Sequence, residues 1–289
     1  MYEAGERGGV ARESVELPQG TIAYGDSGSG EPMVFVHGLL VDGRLWRKVT
    51  PRLDPSFRCL VPDLPLGSHQ TPMRPDADLT PPGLARLLAD YLEALDLKGV
   101  TLVANDTGGA ISQIMAANHP ERIGRLVLTP CDAFENFLPP AFRPLQYAAR
   151  VPPLLTGIMQ GMRLAPMRRL PNAFGWLIKK EKDDKLLGEW VRPFLTDAAI
   201  RRDTVKVLRG IHPRYTEEAA VRLRSFDRPT MLAWAKQDRF FKPKFAERLA
   251  EAIPNARLEW IEDSYTFVSE DQPERLAKLI EDFARRTTQ

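Results

Sequence analysis

Short apolar runs alternate with helical stripes along the chain, a pattern typical of strands alternating with helices. Residues 14–18 and 21–25 predict a hairpin at the start. Apolar runs suited to buried strands follow at 33–37, 57–62, 99–105, 124–129, 230–235 and 256–262. Repeats of this kind predict an α/β fold, with a mostly parallel sheet and helices on both faces.

Helices are predicted between these strands, at 44–53, 80–95, 107–118, 243–253 and 273–285. The second of them has the clearest signal. Thr80 can cap its first turn, and the two prolines that follow are tolerated there. Its leucines then recur every three or four residues, which predicts an amphipathic helix of about four turns.

Residues 133–226 differ from the rest of the chain, because they have helical but no strand-like patterning. The strand–helix pattern resumes after them, so the flanking parts must complete one sheet. We therefore predict a core domain of residues 1–132 and 227–289, and call the insertion 133–226 the cap segment. An insertion between two strands of an open sheet is expected to lie over their carboxyl ends, where such folds bind ligands.

The composition of the chain indicates which classes of partner to expect. The chain has 289 residues, 40 basic and 38 acidic, and a net charge of +2. Such a balance favours neither a nucleic-acid nor a membrane partner, and leaves the oligomeric state open.

The arginines 163, 168 and 169 are expected to form a solvated face of the cap segment. Cys59 and Cys131 are too far apart along the chain for a disulfide framework or a metal knuckle. No metal and no cofactor are expected.

The N-terminus has no apolar stretch after a basic start, and no window is long and apolar enough to span a bilayer. The sequence therefore predicts a cytoplasmic protein.

The segment V-T-L-V-A-N-D-T-G-G-A, residues 100–110, predicts a strand, a sharp turn and a helix. This is the arrangement of a nucleophile elbow, and Asp106 occupies the nucleophile position. The helix N-terminus favours a carboxylate there through its dipole. In isolation, the same residue could be no more than the cap of the 107–118 helix.

Four motifs together resemble the α/β-hydrolase fold, in particular its aspartate-nucleophile branch of haloalkane dehalogenases and epoxide hydrolases. They are His37-Gly38, D-L-P-L-G at 63–67, the elbow, and D-Q-P-E at 271–274. The resemblance covers nearly the whole chain. It implies that Asp106 attacks an electrophilic carbon of a small hydrophobic molecule, forming an ester. It also implies an oxyanion hole made by the backbone N–H groups of Leu39 and Thr107, and a His37 that orients a loop and is not a base.

The resemblance further implies an acid that orients a base histidine. Asp238, directly after the 230–235 strand, fits this position and is preferred. Asp132, after the 124–129 strand, fits the alternative position used by some relatives.

The base histidine itself is missing. The family pattern expects it where this chain has Thr266, within D-S-Y-T-F-V-S-E-D-Q-P at 263–273. A hydroxyl group has no pKa suited to accepting a proton near neutral pH. The last histidine is His212, and the others are His37, His69 and His119. We expect His69 to hydrogen-bond within its loop, with a role at the site as the alternative.

Further positions depart from the dehalogenase and epoxide-hydrolase patterns. Thr107 stands where dehalogenases have a halide-binding tryptophan, Leu39 where they often have asparagine, and Leu40 where epoxide hydrolases have proline. Tyr147 and Tyr215 in the cap segment are weak candidates for the epoxide-opening acids of that family.

Three hypotheses remain. The first is a hydrolase with Asp106 as nucleophile and an atypical or impaired hydrolytic step. The second is a lyase, isomerase or cyclase in which Asp106 is a general base, which needs a pKa raised by burial. The third is a catalytically silent ligand-binding protein.

Overall fold

A computed structural model describes residues 12–287, in which one eight-stranded sheet forms the centre. The sheet order is β1-β2-β4-β3-β5-β6-β7-β8. Its strands are β1 (Arg12–Leu17), β2 (Gly20–Ser27), β3 (Glu31–Val36), β4 (Phe57–Pro62), β5 (Val100–Asn105), β6 (Ile123–Cys131), β7 (Thr230–Ala235) and β8 (Ala256–Ile261). The prediction that the N-terminus has no apolar stretch after a basic start concerns mainly residues 1–11, which lie outside the described residues.

Strand pairing confirms the predicted hairpin and the mostly parallel sheet. The hairpin strands β1 and β2 pair antiparallel, β2 pairs antiparallel with β4, and the remaining pairs are parallel. Every residue of β5 and β7 is buried. That burial explains their nearly continuous apolar sequences, since a strand covered on both faces has no solvent-facing side.

Helices flank the sheet and separate its parallel strands. They are α1 (Thr50–Leu53), α2 (Pro81–Ala94), α3 (Asp106–Asn118), α4 (Arg143–Ala148), α5 (Pro152–Gln160), α6 (Ala165–Arg168), α7 (Asp184–Thr196), α8 (Ala198–Gly210), α9 (Pro213–Arg222), α10 (Pro243–Ala252), α11 (Val268–Asp271) and α12 (Pro273–Arg286). The hydroxyl of Thr80 accepts a hydrogen bond from the Gly83 N–H, which confirms the predicted cap of α2.

The helix predicted at 44–53 is wrong. A 3-10 turn, Gly43–Trp46, and the short helix α1 take its place. Pro51 has no N–H to donate to the carbonyl of Arg47, so a continuous helix would lose a hydrogen bond there.

The cap segment contains α4 to α9, and no named strand lies between β6 and β7. Buried side chains of the cap segment such as Leu155, Trp190 and Phe194 belong to the same apolar cluster as the sheet residues. Within residues 12–287, every helix is too short or too polar to cross a membrane.

Candidate active site

The elbow lies where β5 ends at Asn105 and α3 begins at Asp106. Asp106 has a φ of 56°, in the left-handed region that non-glycine residues seldom adopt. Strain of this kind persists only where the surrounding structure enforces it, and it is concentrated at functional sites. The structure therefore places the Asp106 carboxylate on a strained turn at a helix N-terminus.

Two glycines allow the backbone to approach this turn closely. A Cβ atom at Gly38 would lie 2.5 Å from Oδ1 of Asp106, and one at Gly108 would overlap the carbonyl oxygen of His37. Because neither glycine has a side chain, the loop after β3 can reach the elbow.

Both expected backbone donors contact Asp106. The N–H of Leu39 donates to its Oδ1 at 3.2 Å, and the N–H of Thr107 donates to the same oxygen at 2.6 Å. Burial raises the pKa of Asp106, and these two hydrogen bonds oppose the rise because they stabilise the ionised form.

Asp106 lines an apolar cavity of about 200 Å³. Leu39, Thr107 and Asp132 contribute to its core side, and the rest of its lining comes largely from the cap segment. The apolar lining residues include Leu138, Phe142, Leu145, Ile158, Met159, Met162, Met167, Leu170, Phe174 and Leu177. Such a cavity suits a small hydrophobic ligand approached by a few polar groups.

Asp132, directly after β6, is the second carboxylate that lines the cavity. Its Oδ1 accepts a hydrogen bond from the Leu138 N–H at 2.8 Å, and its Oδ2 accepts one from the Thr107 hydroxyl at 3.3 Å. Burial raises its pKa well above the usual range, and the negative charge of Asp106 adds to the rise. Thr107 therefore connects the two carboxylates, through its N–H to one and its hydroxyl to the other.

Asp238 lies after β7 and is not among the residues that line the cavity. Its Oδ1 accepts hydrogen bonds from the N–H groups of Phe240 and Phe241, both at 2.7 Å. Burial raises its pKa to about 7. Its Oδ2 is buried and has no partner within hydrogen-bond geometry among the described residues.

Thr266 is fully buried, and its hydroxyl also lacks a partner within hydrogen-bond geometry among residues 12–287. It is nevertheless close enough to Asp238 to lower the pKa of that carboxyl somewhat. The positions at which the resemblance implies the acid and the base histidine are therefore neighbours, each with an oxygen that lacks a hydrogen-bond partner among residues 12–287.

Asn105 is a residue whose importance the sequence reasoning missed. Its side-chain amide donates to the Thr129 hydroxyl, the Pro130 carbonyl and the Thr266 carbonyl, each at 2.9 Å. It thereby links the elbow to the end of β6 and to the loop after β8. A polar residue at the end of an otherwise apolar strand is the signal that could have identified it.

His37 and His69 are both hydrogen-bonded, and neither lines the cavity. The Leu64 N–H donates to Nε2 of His37 at 2.9 Å, and Nδ1 of His37 donates to the Gly38 carbonyl at 2.9 Å. Burial lowers the pKa of His37, which agrees with the expected loop-orienting role. His69 accepts a hydrogen bond from the Gly67 N–H within its own loop and lies 3.4 Å from Asp203.

Neither candidate tyrosine is brought to the cavity. Tyr147 is 58% exposed. Tyr215 packs partly against the core, and its hydroxyl contacts Arg214 at 2.6 Å. Both side chains are absent from the cavity lining, so the structure gives no support to an acid role for either.

A larger and more open cleft of about 680 Å³ lies elsewhere, lined by Arg12, Arg44 and Arg47 among others. These three arginines pair with Asp63, Glu189 and Glu270, respectively. Asp106, Asp132 and Asp238 all lie outside this cleft, so the smaller cavity is the candidate active site. Among the described residues, no three His, Cys, Asp or Glu side chains are arranged to hold a metal ion.

The sheet order, the elbow after β5 and the helices between β6 and β7 define an α/β-hydrolase fold. A family model described as "alpha/beta hydrolase fold" matches residues 31–273, and the chain belongs to that family.

Individual relatives agree with this assignment. A cis-3-alkyl-4-alkyloxetan-2-one decarboxylase of Shewanella oneidensis is 29% identical over 92% of this chain and 86% of its own length. A haloalkane dehalogenase of Agrobacterium fabrum is 28% identical over 90% of this chain and 87% of its own. Among solved structures, an α/β-hydrolase-fold protein from Burkholderia ambifaria has a TM-score of 0.81 and 25% identity, covering 93% of this chain and 97% of that one.

Proposed function

We propose that this protein is an α/β-hydrolase-fold enzyme in which Asp106 is a covalent nucleophile toward a small hydrophobic substrate. One observation carries the proposal. The Asp106 carboxylate lines the apolar cavity while two backbone N–H groups hold one of its oxygens, Oδ1. Its other oxygen, Oδ2, is then free to attack an electrophilic carbon, expelling a leaving group and forming an ester.

The same two donors suit the second half of such a reaction. After attack by Oδ2, Oδ1 becomes the carbonyl oxygen of the ester. Negative charge develops on Oδ1 when water adds to the ester carbon, and the N–H groups of Leu39 and Thr107 already point at it. We include the cap segment in the proposal, as the domain that covers the cavity and supplies most of its apolar lining.

Release of the ester is the step that we expect to be impaired. Water must lose a proton as it attacks, and Thr266 cannot accept one. Asp238 keeps the position of the orienting acid but has no histidine to orient. The ester on Asp106 should therefore form faster than water removes it.

A water-free reaction is the second candidate, favoured by Thr266 together with the relative named as an oxetanone decarboxylase. In such a four-membered lactone, attack of Asp106 Oδ2 on C4, the alkyl-bearing carbon next to the ring oxygen, would break the bond between C4 and that oxygen. An ester and a free carboxylate result. Loss of CO₂ would then supply the electron pair of a new C=C bond and expel the Asp106 carboxylate. This sequence regenerates the enzyme without a base or water.

Intact-mass spectrometry after incubation with haloalkanes, epoxides, activated esters and a cis-dialkyl oxetan-2-one tests both candidates. A haloalkane should add the mass of its alkyl group to Asp106, and the lactone should give an alkene and CO₂ in excess over enzyme. Asp106→Asn should abolish both, whereas the exposed Asp227→Asn should abolish neither. Absence of any adduct or product with the whole panel would refute the nucleophile role.

Two further arms separate hydrolysis from the water-free reaction. In H₂¹⁸O, hydrolysis of the ester places ¹⁸O in the Asp106 carboxylate, whereas decarboxylation does not. Thr266→His should accelerate ester release if the rest of the machinery is intact, and should leave decarboxylation unchanged.

A further inference from the structure

Large apolar side chains are exposed in one region of this molecule. Within residues 12–287, all such side chains except Val221 lie between residues 147 and 176. They are Tyr147, Val151, Leu154, Ile158, Leu164, Met167, Leu170 and Trp176, between 39% and 62% exposed. A cluster of this size on a folded protein is typical of an interaction site.

The elements that carry these side chains are neighbours. Helix α4 packs against α5, and the 3-10 turn Gly161–Arg163 packs against both α5 and α6. The segment Pro171–Gly175 in turn packs against α6. Ile158, Met167 and Leu170 are exposed and also line the cavity. The exposed apolar region therefore borders the cavity of the candidate active site.

The charged side chains along this part of the chain are all basic. Residues 136–180 contain seven arginines and lysines and no aspartate or glutamate. Some of these basic side chains are buried or already form salt bridges. Arg168 is buried, Arg169 pairs with Asp184, and Lys179 pairs with Asp263.

Other cations of the region have no carboxylate partner. Among the described residues, Arg143, Arg150 and Arg163 are exposed and form no salt bridge. Arg239, from the loop after β7, lies 4.8 Å from the ring centre of Trp176 and adds a further cation at the edge. We call these four arginines and the eight exposed apolar side chains the apolar–basic surface.

We propose that the apolar–basic surface docks on an anionic lipid bilayer, so that the cavity opens toward the membrane from which a hydrophobic substrate enters. Apolar side chains on short surface helices can be buried at the boundary between headgroups and acyl chains. Arginines beside them are attracted to anionic lipids, by about 1 kcal/mol each near the membrane surface.

Charge also argues against a second copy of this chain as the occupant. In a symmetric dimer the same patch faces itself, which would bring unpaired arginines of the two copies together. A bilayer with negative headgroups satisfies both the apolar and the basic groups. The net charge of +2 gives no sign of this surface, because the acidic residues that balance it lie elsewhere in the chain.

Co-sedimentation with lipid vesicles tests the proposal. The full chain should bind vesicles of phosphatidylcholine with phosphatidylserine and not vesicles of phosphatidylcholine alone, and added salt should weaken the binding. Neutralising Arg143 and Arg150 to Gln should lower the partition coefficient roughly fivefold per arginine. Leu154→Ser with Leu164→Ser should also reduce binding. The matched controls are Arg275→Gln and Val221→Ser, exposed residues outside the surface, which should bind like the unchanged protein.

Several results would overturn the proposal. One is no binding to either kind of vesicle, and another is equal binding to both. A third is an equal loss of binding in the controls. A fourth is a dimer in sedimentation velocity that Leu154→Ser dissociates, because the surface would then be a self-interface. Leu154 and Leu164 do not line the cavity, so labelling of Asp106 in solution should be unchanged in their variants, which keeps this test separate from that of the proposed function.

Discussion

At the scale of single residues, the site contains three buried carboxylates, those of Asp106, Asp132 and Asp238. Within residues 12–287, none of them forms a salt bridge with a lysine, arginine or histidine. Burial raises the pKa of all three, and the charge of Asp106 raises those of the other two. The folded protein therefore holds protons at this site that the unfolded chain would release.

We predict that Asp238→Asn stabilises the protein above neutral pH. Its pKa is about 7 in the folded state, above that of the unfolded chain. The stability contribution of the protonated carboxyl is therefore complete in acid and lost as pH rises to about 7. At 1.36 kcal/mol per pKa unit, the rise from 3.8 to about 7 corresponds to about 4 kcal/mol of stability, which is lost between about pH 4 and pH 7.

Urea unfolding at several pH values checks this prediction. Relative to the unchanged protein, Asp238→Asn should gain free energy of unfolding as pH rises and reach a plateau above about pH 7. The exposed Asp76→Asn serves as the control and should show no such gain. A difference between Asp238→Asn and the unchanged protein that does not vary with pH would contradict the prediction.

At the scale of elements, one short helix connects the cap segment to the loop that carries Thr266. The Asp271 carboxylate, in α11, is buried and accepts hydrogen bonds from the N–H groups of Lys179 and Lys180 at 2.9–3.0 Å. It also accepts one from the Tyr265 N–H at 2.9 Å and one from the Ser264 hydroxyl at 3.2 Å. Nearby, the Phe267 N–H donates to the Leu177 carbonyl at 2.8 Å. These contacts fix the segment that contributes Leu177 to the cavity.

We predict that Asp271→Ala lowers the free energy of unfolding by about 3 kcal/mol, because it removes several charge-assisted hydrogen bonds and leaves donors without partners. Thermal or urea unfolding measures the loss. Asp282→Ala is the matched control, since Asp282 forms only a surface pair with Lys278 at 3.7 Å, and it should cost less than about 0.5 kcal/mol. Equal effects of the two substitutions would contradict the proposed connection.

At the scale of the whole molecule, the core and the cap segment share one apolar cluster. Leu155 and Trp190 of the cap segment belong to it together with β-strand residues such as Phe35 and Trp234. Among the aromatic contacts, the Trp190 and Phe267 rings are 6.1 Å apart and join the two parts directly. A segment that buries its apolar side chains against the core depends on the core for its stability.

We therefore predict one cooperative unfolding transition for the full chain. Calorimetry should give one peak, and far-ultraviolet circular dichroism and tryptophan fluorescence should report the same midpoint, as two-state unfolding requires. Trp190 and Trp234 lie in the cap segment and the core, respectively, so fluorescence reports on both. Separate midpoints from the two probes would show that the cap segment unfolds independently.

Most of the elements and the elbow could be predicted from the sequence alone. Strand and helix periodicities are local properties, so β5, α3 and the strand-free insertion at 133–226 could be predicted from neighbouring residues alone. The spacing of Thr266 within its motif likewise predicts that it stands where the family pattern expects the base histidine. The prediction of one helix at 44–53 was wrong because Pro51 lacks the N–H that a continuous helix needs at that position.

Which distant residues meet became visible only in the folded molecule. Asp132 and Asp106 line the same cavity, Asp238 does not line it, and Tyr147 is exposed to solvent. Exposed apolar side chains and arginines also come together beside the cavity, although the net charge of the chain is close to zero. These outcomes depend on how helices and strands pack against one another, and packing joins residues whose separation along the chain carries no information about their distance in space.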